Sequence, residues 1–196
     1  MHELQRRTAA VLTVALHDLG DRVALFAFRS QGRSAVTVVP VKRFDDPLDA
    51  RVFRRLGGLR PGAYTRLGAA IRHGAAVVEA EGGTPRRLLV VVSDGFAYDH
   101  GYEGAYGEAD ARRALVEARR RGTGCLCLSV GAATDAAALR RVFGTAAHAT
   151  IPRVEQLPFV VGPLFRSALR SSEAQRKVAQ RTRRTRERLQ IDRRTG

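Results

Sequence analysis

Val90-Val91-Val92-Ser93-Asp94-Gly95 is the stretch on which the reading of this chain turns. The aliphatic run from 88 to 92 has the length and β-branched content of a buried strand, and it stops at an acid followed by glycine. That places a carboxylate at the strand's carboxyl edge, where open α/β sheets bind ligands. Upstream, Gly62-Ala63-Tyr64-Thr65 opens a helix and offers a hydroxyl at a neighbouring loop tip. Hard cations such as Mg²⁺ or Mn²⁺ take oxygen ligands, one or two carboxylates with hydroxyls and retained waters. Thr65 and Asp94 are therefore the candidate metal ligands, and two such ligands alone make a weak site. Each has a second role open to it, Thr65 as a helix N-cap and Asp94 as the acid of a tight Asp-Gly turn.

Working outward, apolar positions at helical spacing predict a helix over 3–19, stopped by Gly20. Residues 23–28 and 35–41 are β-rich and joined by Ser30-Gln31-Gly32-Arg33-Ser34, which predicts an antiparallel hairpin with the second strand at an edge. Asp46-Pro47 is expected to cap a short helix carrying Leu48, Val52 and Leu56, and a helix from about Thr65 buries Leu67, Ile71, Gly74 and Val78. A polar loop over 95–107, longer than an ordinary strand-to-helix connection, leads into a helix over 108–121. A strand holds Cys125 and Cys127 on one face. A small helix from Asp135, a short strand over 148–151 and an apolar helix over 157–169 follow. The alternation predicts an α/β fold, a mostly parallel sheet with helices on both faces and one antiparallel edge strand.

The 196 residues, 44% hydrophobic, suit one domain over 1–169 with a tail over 170–196. The tail has ten basic and three acidic residues and almost nothing apolar, so it is read as disordered or as a helical arm. Net charge is +15, with Lys42 and Lys177 the two lysines among 34 basic residues. Arginine bias of that kind fits genome composition, an acidic protein partner or nucleic acid. The two cysteines read as small core residues, with no disulfide or zinc spacing, and a reducing cytoplasm is the expected compartment. Arg6-Arg7 and the threonine-interrupted run after it do not make an export signal, and no stretch is long and apolar enough to span a bilayer.

Over most of residues 10 to 165 the chain resembles a von Willebrand factor A domain, and within that superfamily the C-terminal domain of the NorD/CbbO family of nitric oxide reductase and Rubisco activation proteins. The resemblance is carried by Gly20-Asp21-Arg22-Val23-Ala24-Leu25, Phe28-Arg29-Ser30, Lys42-Arg43-Phe44-Asp45 and Leu59-Arg60-Pro61-Gly62 running on to His73. It continues in Ser93-Asp94-Gly95, Asp99, Tyr102-Glu103-Gly104, Tyr106-Gly107 and Asp110-Ala111-Arg112. It implies a three-layer Rossmann-like sheet of strand order 3-2-1-4-5-6 with a metal-ion-dependent adhesion site, to which Thr65 and Asp94 correspond. The D-x-S-x-S segment that supplies the remaining ligands on the central first strand is absent, so Mg²⁺ (or Mn²⁺) is expected to bind weakly or not at all. Phe96 also stands where the family commonly has a basic residue. The strands near Val23 and Leu88 are expected either to face a gap, the chain being a fragment of a longer protein, or to close on each other.

The function implied is a non-enzymatic adaptor making metal-dependent protein contacts. A MoxR-type AAA+ ATPase and a target metalloenzyme or Rubisco would be its partners. Asp99, Tyr102, Glu103 and Tyr106 are the expected partner-binding loop; Asp110 is expected to cap a helix, and the arginines at 112, 113 and 119–121 to form a solvated face. The alternative is a nonspecific nucleic-acid-binding basic protein, held by arginines on phosphates and steeply salt-dependent. Catalysis is disfavoured, since no nucleophile with a base, second acid or phosphate-cradling loop is evident.

Overall fold

The computed structural model describes residues 2–62, 64–93, 98–131 and 136–195. Helix α1 (His2–Asp18) leads into strands β1 (Leu25–Ser30) and β2 (Val36–Lys42), which pair antiparallel around Gly32 at φ +75°. Pro40 lies in β2 and donates nothing to a ladder, as befits an edge strand. Next come α2 (Ala50–Gly57), α3 (Leu67–Glu81) and strand β3 (Arg87–Ser93). Then α4 (Gly104–Arg120), β4 (Thr123–Val130), α5 (Ala136–Phe143), β5 (Ala147–Ile151) and α6 (Leu157–Thr195) complete the chain. Strands β3, β4 and β5 form a parallel sheet in that order, with Leu89 opposite Cys125 and Cys127 opposite His148.

The expected α/β arrangement is present, and the expected gap with it. Among the described residues β1 pairs with β2 and β3 with β4, but β1 and β3 do not pair. A cleft of about 960 Å³ lies between them, lined by β1 residues such as Phe26 and Phe28 and β3 residues such as Leu89 and Val91. Direct closure of the sheet, the other arrangement considered, does not occur.

The core is accordingly divided. Strand β4 is buried throughout, and its side chains alternate between two apolar clusters, as a central parallel strand requires. Cys125 and Cys127 face Leu67 and Ile71 of α3, Leu115 of α4 and Phe143 of α5. Leu126 and Leu128 face the opposite way, toward Leu12 of α1 and Val161 and Phe165 of α6. A third cluster, Val41, Val52 and Leu56, seals α2 against the hairpin. Both cysteines are free, and burial pushes the Cys125 thiol up to about 12 and Cys127 well above its ordinary value. Neither is expected to react with a thiol reagent at pH 8 in the folded protein, while both react in guanidinium; rapid labelling without denaturant would contradict this burial.

Several boundaries differ from expectation for local reasons. The N-cap of α2 is Asp49, whose Oδ1 accepts from the backbone N–H of Arg51 at 2.8 Å and of Val52 at 3.4 Å. Asp46 instead closes the preceding turn on the N–H of Arg43 at 2.9 Å. Helix α3 starts at Leu67 after Arg66, so Thr65 is not its cap. Helix α4 starts at Gly104, so the loop after β3 is shorter than read and Asp110 lies inside the helix. Helix α6 passes through Pro163 and continues over the basic segment to Thr195, the helical one of the two readings of the tail. On α1, Leu12 is partly buried, whereas Val11 and Ala15 are exposed and Thr8 and Thr13 buried; Leu19, just past its end, is exposed. The small helix α5 is described from Ala136; Asp135 lies outside the described residues.

Candidate functional site

Short backbone bridges tie the carboxyl end of β1 to the segment ahead of α3, and that segment to Tyr98. Ser30 N–H donates to the Tyr64 carbonyl at 3.0 Å, and Thr65 and Tyr98 exchange two backbone bonds of 2.7 and 3.1 Å. Thr65 is thereby held on the rim of the cleft, which the buried Ser93 also lines. Gly62 permits the close approach of this loop to β1, since a Cβ there would lie 2.5 Å from the Cβ of Arg29. Asp94, the other expected ligand, lies outside the described residues, as does Phe96.

Beneath this rim runs a polar chain that local sequence does not announce. Asp99, fully buried, accepts from Gly32 N–H at 2.8 Å, from its neighbour His100 N–H at 2.7 Å and from Arg66 Nε at 3.0 Å. Burial works against its ionisation, but the hydrogen bonds from Gly32, Ser30 and His100 and the Arg66 charge prevail and hold its carboxyl below the usual range. Arg66 also donates to the His100 carbonyl at 2.6 Å and lies 4.9 Å over the Tyr102 ring. Tyr102 is buried in turn. Its hydroxyl donates to Asp110 Oδ2 at 2.5 Å and accepts from Gly68 N–H at 3.1 Å, and burial and the Asp110 bond raise its pKa. Asp110 pairs with Arg72 at 2.8 Å, and Arg72 with Glu117 at 2.8 Å.

Of the four expected partner contacts, the structure therefore separates two from two. Asp99 and Tyr102 are buried interior ties between the hairpin, α3 and α4. Glu103 and Tyr106 are exposed, Tyr106 at 61% with its ring edge-on to Tyr102 at 5.4 Å. Tyr98, 53% exposed, adds a third aromatic contact surface with Tyr64 at 5.9 Å, and was not singled out from sequence. Asp110 is no cap but the acceptor that joins Tyr102 to Arg72, and Arg66 and Arg72 were missed because their partners lie over thirty residues away. Arg112, Arg113, Arg120 and Arg121 are exposed as expected; Arg113 pairs with Glu117 and Arg121 with Glu79, while half-buried Arg119 donates to Thr145 and Ser171. His73 is exposed on α3, edge-on to Phe26.

Among the described residues no group of three or more His, Cys, Asp or Glu side chains is placed to hold a divalent cation, and both oxygens of Asp99 are engaged. Thr65 gives a hydroxyl, but the described residues alone do not fit Mg²⁺, which needs carboxylates from elsewhere.

For Asp110 burial again opposes ionisation, and the Arg72 and Tyr102 bonds outweigh it; for Glu117 the Arg72 bond leads and lowers its pKa. Carboxyls held low when folded add stability that is present above their unfolded pKa, about 4, and is lost as pH falls through the folded values. The melting temperature is expected to be flat between about pH 7 and 5 and to drop steeply below about 4; a constant value down to pH 3 would show that these pairs contribute nothing.

A family model described as von Willebrand factor type A domain matches residues 4–161. The Protein NorD of Brucella suis is 34% identical over 166 residues, 84% of this chain and 26% of that protein. An uncharacterized protein of Pseudomonas aeruginosa is 41% identical over 155 residues, 78% of this chain and 25% of its own length. The Protein NorD of Stutzerimonas stutzeri is 39% identical over 116 residues, 59% of this chain and 19% of that protein. The chain thus spans about a quarter of the length of the first curated relatives it matches. No solved structure matches it. Among the described residues no helix is long and apolar enough to cross a membrane. By these sequence matches, with which the α/β arrangement is consistent, the chain belongs to the von Willebrand factor type A domain family and within it is similar to NorD proteins.

Proposed function

We propose that the chain is a non-catalytic accessory module of the nitric oxide reductase or Rubisco activation type, an adaptor that docks a MoxR-type AAA+ ATPase and couples it to a target metalloenzyme or Rubisco. The observation that carries this reading is a rigid, exposed aromatic and acidic surface, Tyr98, Glu103 and Tyr106, standing on the buried Asp99–Arg66–Tyr102 chain. Tyrosines fixed from below give large contact area at small entropic cost, the usual make-up of interface anchors. The similarity to NorD proteins supports the accessory role, and the two protonated, buried thiols supply no nucleophile.

The metal is the finer part of the proposal, and its contribution to docking is expected to be small in this chain. Thr65 and Asp94 are the residues that would hold Mg²⁺, and in this chain they are expected to do so no more tightly than about millimolar, for want of further carboxylates. Binding to the purified ATPase is expected to weaken by about tenfold or more in Tyr106→Ala and to change little with EDTA. Unchanged affinity in Tyr106→Ala and in Glu103→Lys would remove this surface from the interface. Calorimetric Mg²⁺ binding at micromolar affinity would show a complete metal site instead.

A further inference from the structure

Helix α6 is the longest element of the chain, and the fold uses only its beginning. It runs over 39 residues, yet the apolar side chains that seat it on the sheet, Leu157, Val161, Leu164, Phe165 and Ala168, fall in its first third. Ser171 then accepts from Arg119, and Glu173 pairs with Arg86 at 2.9 Å, the last described ion pair along the helix. Beyond it Lys177 and Val178 are exposed. The stretch from 174 to 195 continues as helix, and at about 1.5 Å per residue it forms an arm of roughly 33 Å. Arg86 and Arg119 stand just ahead of β3 and β4, so the arm leaves at the amino ends of the strands, away from the rim that holds Thr65.

Charge is concentrated on that arm. Residues 174–196 hold nine arginine and lysine residues against two acids, whereas residues 1–173 hold 25 against 17. A general preference for arginine over lysine does not deplete acids from one segment alone. At the root of the arm, exposed Arg120 and Arg170 carry the basic surface onto the body. Within it Lys177 and Arg181, and Arg184 and Arg188, stand four residues apart, like-charge pairs that oppose a helix until an anion neutralises them. Val178, Leu189 and Ile191 are the only large apolar residues of the arm, and it has no aromatic residue. That is too little for the desolvated anchors of a protein interface, or for the apolar face of a helix lying in a lipid surface. A phosphate backbone asks for neither. Guanidinium groups match phosphate oxygens in pairs, and release of condensed counterions drives the binding. The arm's length is that of about one turn of duplex, roughly 34 Å.

We infer that the arm of α6, with the arginines at its root, is a sequence-independent binding site for the phosphate backbone of duplex nucleic acid. This site does not rest on the docking surface proposed above, which none of its residues shares.

The test is fluorescence anisotropy of labelled duplex DNA, about 20 base pairs long, titrated with the full chain at several salt concentrations. Affinity is expected to fall about a thousandfold or more between about 50 and 200 mM salt, and to be alike for two unrelated sequences. Arg181→Gln, Arg183→Gln, Arg184→Gln and Arg186→Gln together should weaken binding about tenfold or more and flatten the slope of log affinity against log salt by about three. Arg7→Gln, Arg51→Gln, Arg54→Gln and Arg140→Gln remove the same charge from exposed positions of the body and should change affinity less than about threefold. Equal weakening by the two sets, a salt slope near zero, or strong preference for one sequence would overturn the inference. So would polyglutamate or phosphatidylglycerol vesicles that bind as tightly as the duplex at about 150 mM salt, since an acidic protein or a lipid surface would then be the occupant.

Discussion

Gly68→Ala is expected to lower stability by about 3 kcal/mol, a fall in melting temperature of roughly 6–12 °C for a chain of this size. On helix propensity alone the change should help, because alanine is favoured over glycine inside a helix by about 1 kcal/mol. The packing decides otherwise. A Cβ on Gly68 would stand 2.0 Å from Asp110 Oδ2 and 2.9 Å from the Tyr102 hydroxyl. Neither can step aside cheaply, since Asp110 is bound by Arg72 at 2.8 Å and Tyr102 is 2% exposed. The new methyl must break the Tyr102–Asp110 bond or part α3 from α4, and separating a partly buried charge from its partner outweighs the propensity gain. Gly57→Ala is the matched control, with open space at its Cβ. If both substitutions shift the thermal midpoint by the same small amount, the close approach of α3 to α4 is not what the structure describes.

The second large effect is expected at Asp99. Its side chain is fully buried and that of Arg66 is 12% exposed. Surface ion pairs contribute about 0–1 kcal/mol, but removing one member of a buried pair leaves the other charged and unsolvated, at about 3–5 kcal/mol. Asp99→Ala is therefore expected to destabilise by about 3–5 kcal/mol in denaturant melts. Asp99→Asn, which keeps an acceptor for the Gly32 and His100 amides, should cost clearly less. Adding Arg66→Met to Asp99→Ala should recover at least about 1 kcal/mol relative to the sum of the single changes, the coupling expected of a contacting pair. Additive behaviour, or an Asp99→Ala variant as stable as the parent, would show that the pair is open to water.

The strands were legible because their physics is local, whereas their order was implied by the resemblance. Leu88 to Val92 and Cys125 to Val130 are apolar without alternation, which only a strand buried on both faces requires, and the cysteines take the same face as expected. The resemblance added the gap, which composition alone does not reveal. Helix limits were less legible where several residues compete for one role. Asp45, Asp46 and Asp49 all stand ahead of α2, and backbone geometry chooses the last. Gly104, at φ +55°, reads as a loop residue yet opens α4. The interior ties were hidden for a different reason. Polar residues in a Gly-rich segment read as solvent-exposed until the fold brings up their partners, and nothing near Asp99 in sequence points to Arg66. The expected pair of metal ligands was resolved only by half, with Thr65 on the rim and Asp94 outside the described residues.

The division of the apolar interior has a bearing on how this molecule comes apart. The hairpin with α2 holds its own small cluster of Val41, Val52 and Leu56; Phe28 reaches the larger cluster, but among the described residues no ladder joins the hairpin to the parallel strands. Units that share little apolar area open as separate cooperative blocks, at free energies below that of global unfolding. Proteolytic nicking under native conditions should therefore strike first in the hairpin block, while the segment from Arg87 to Ile151 persists as the resistant half. The Gly32–Asp99 bond, which joins the hairpin to the segment after the parallel strand β3, is one of the ties such partial opening has to break.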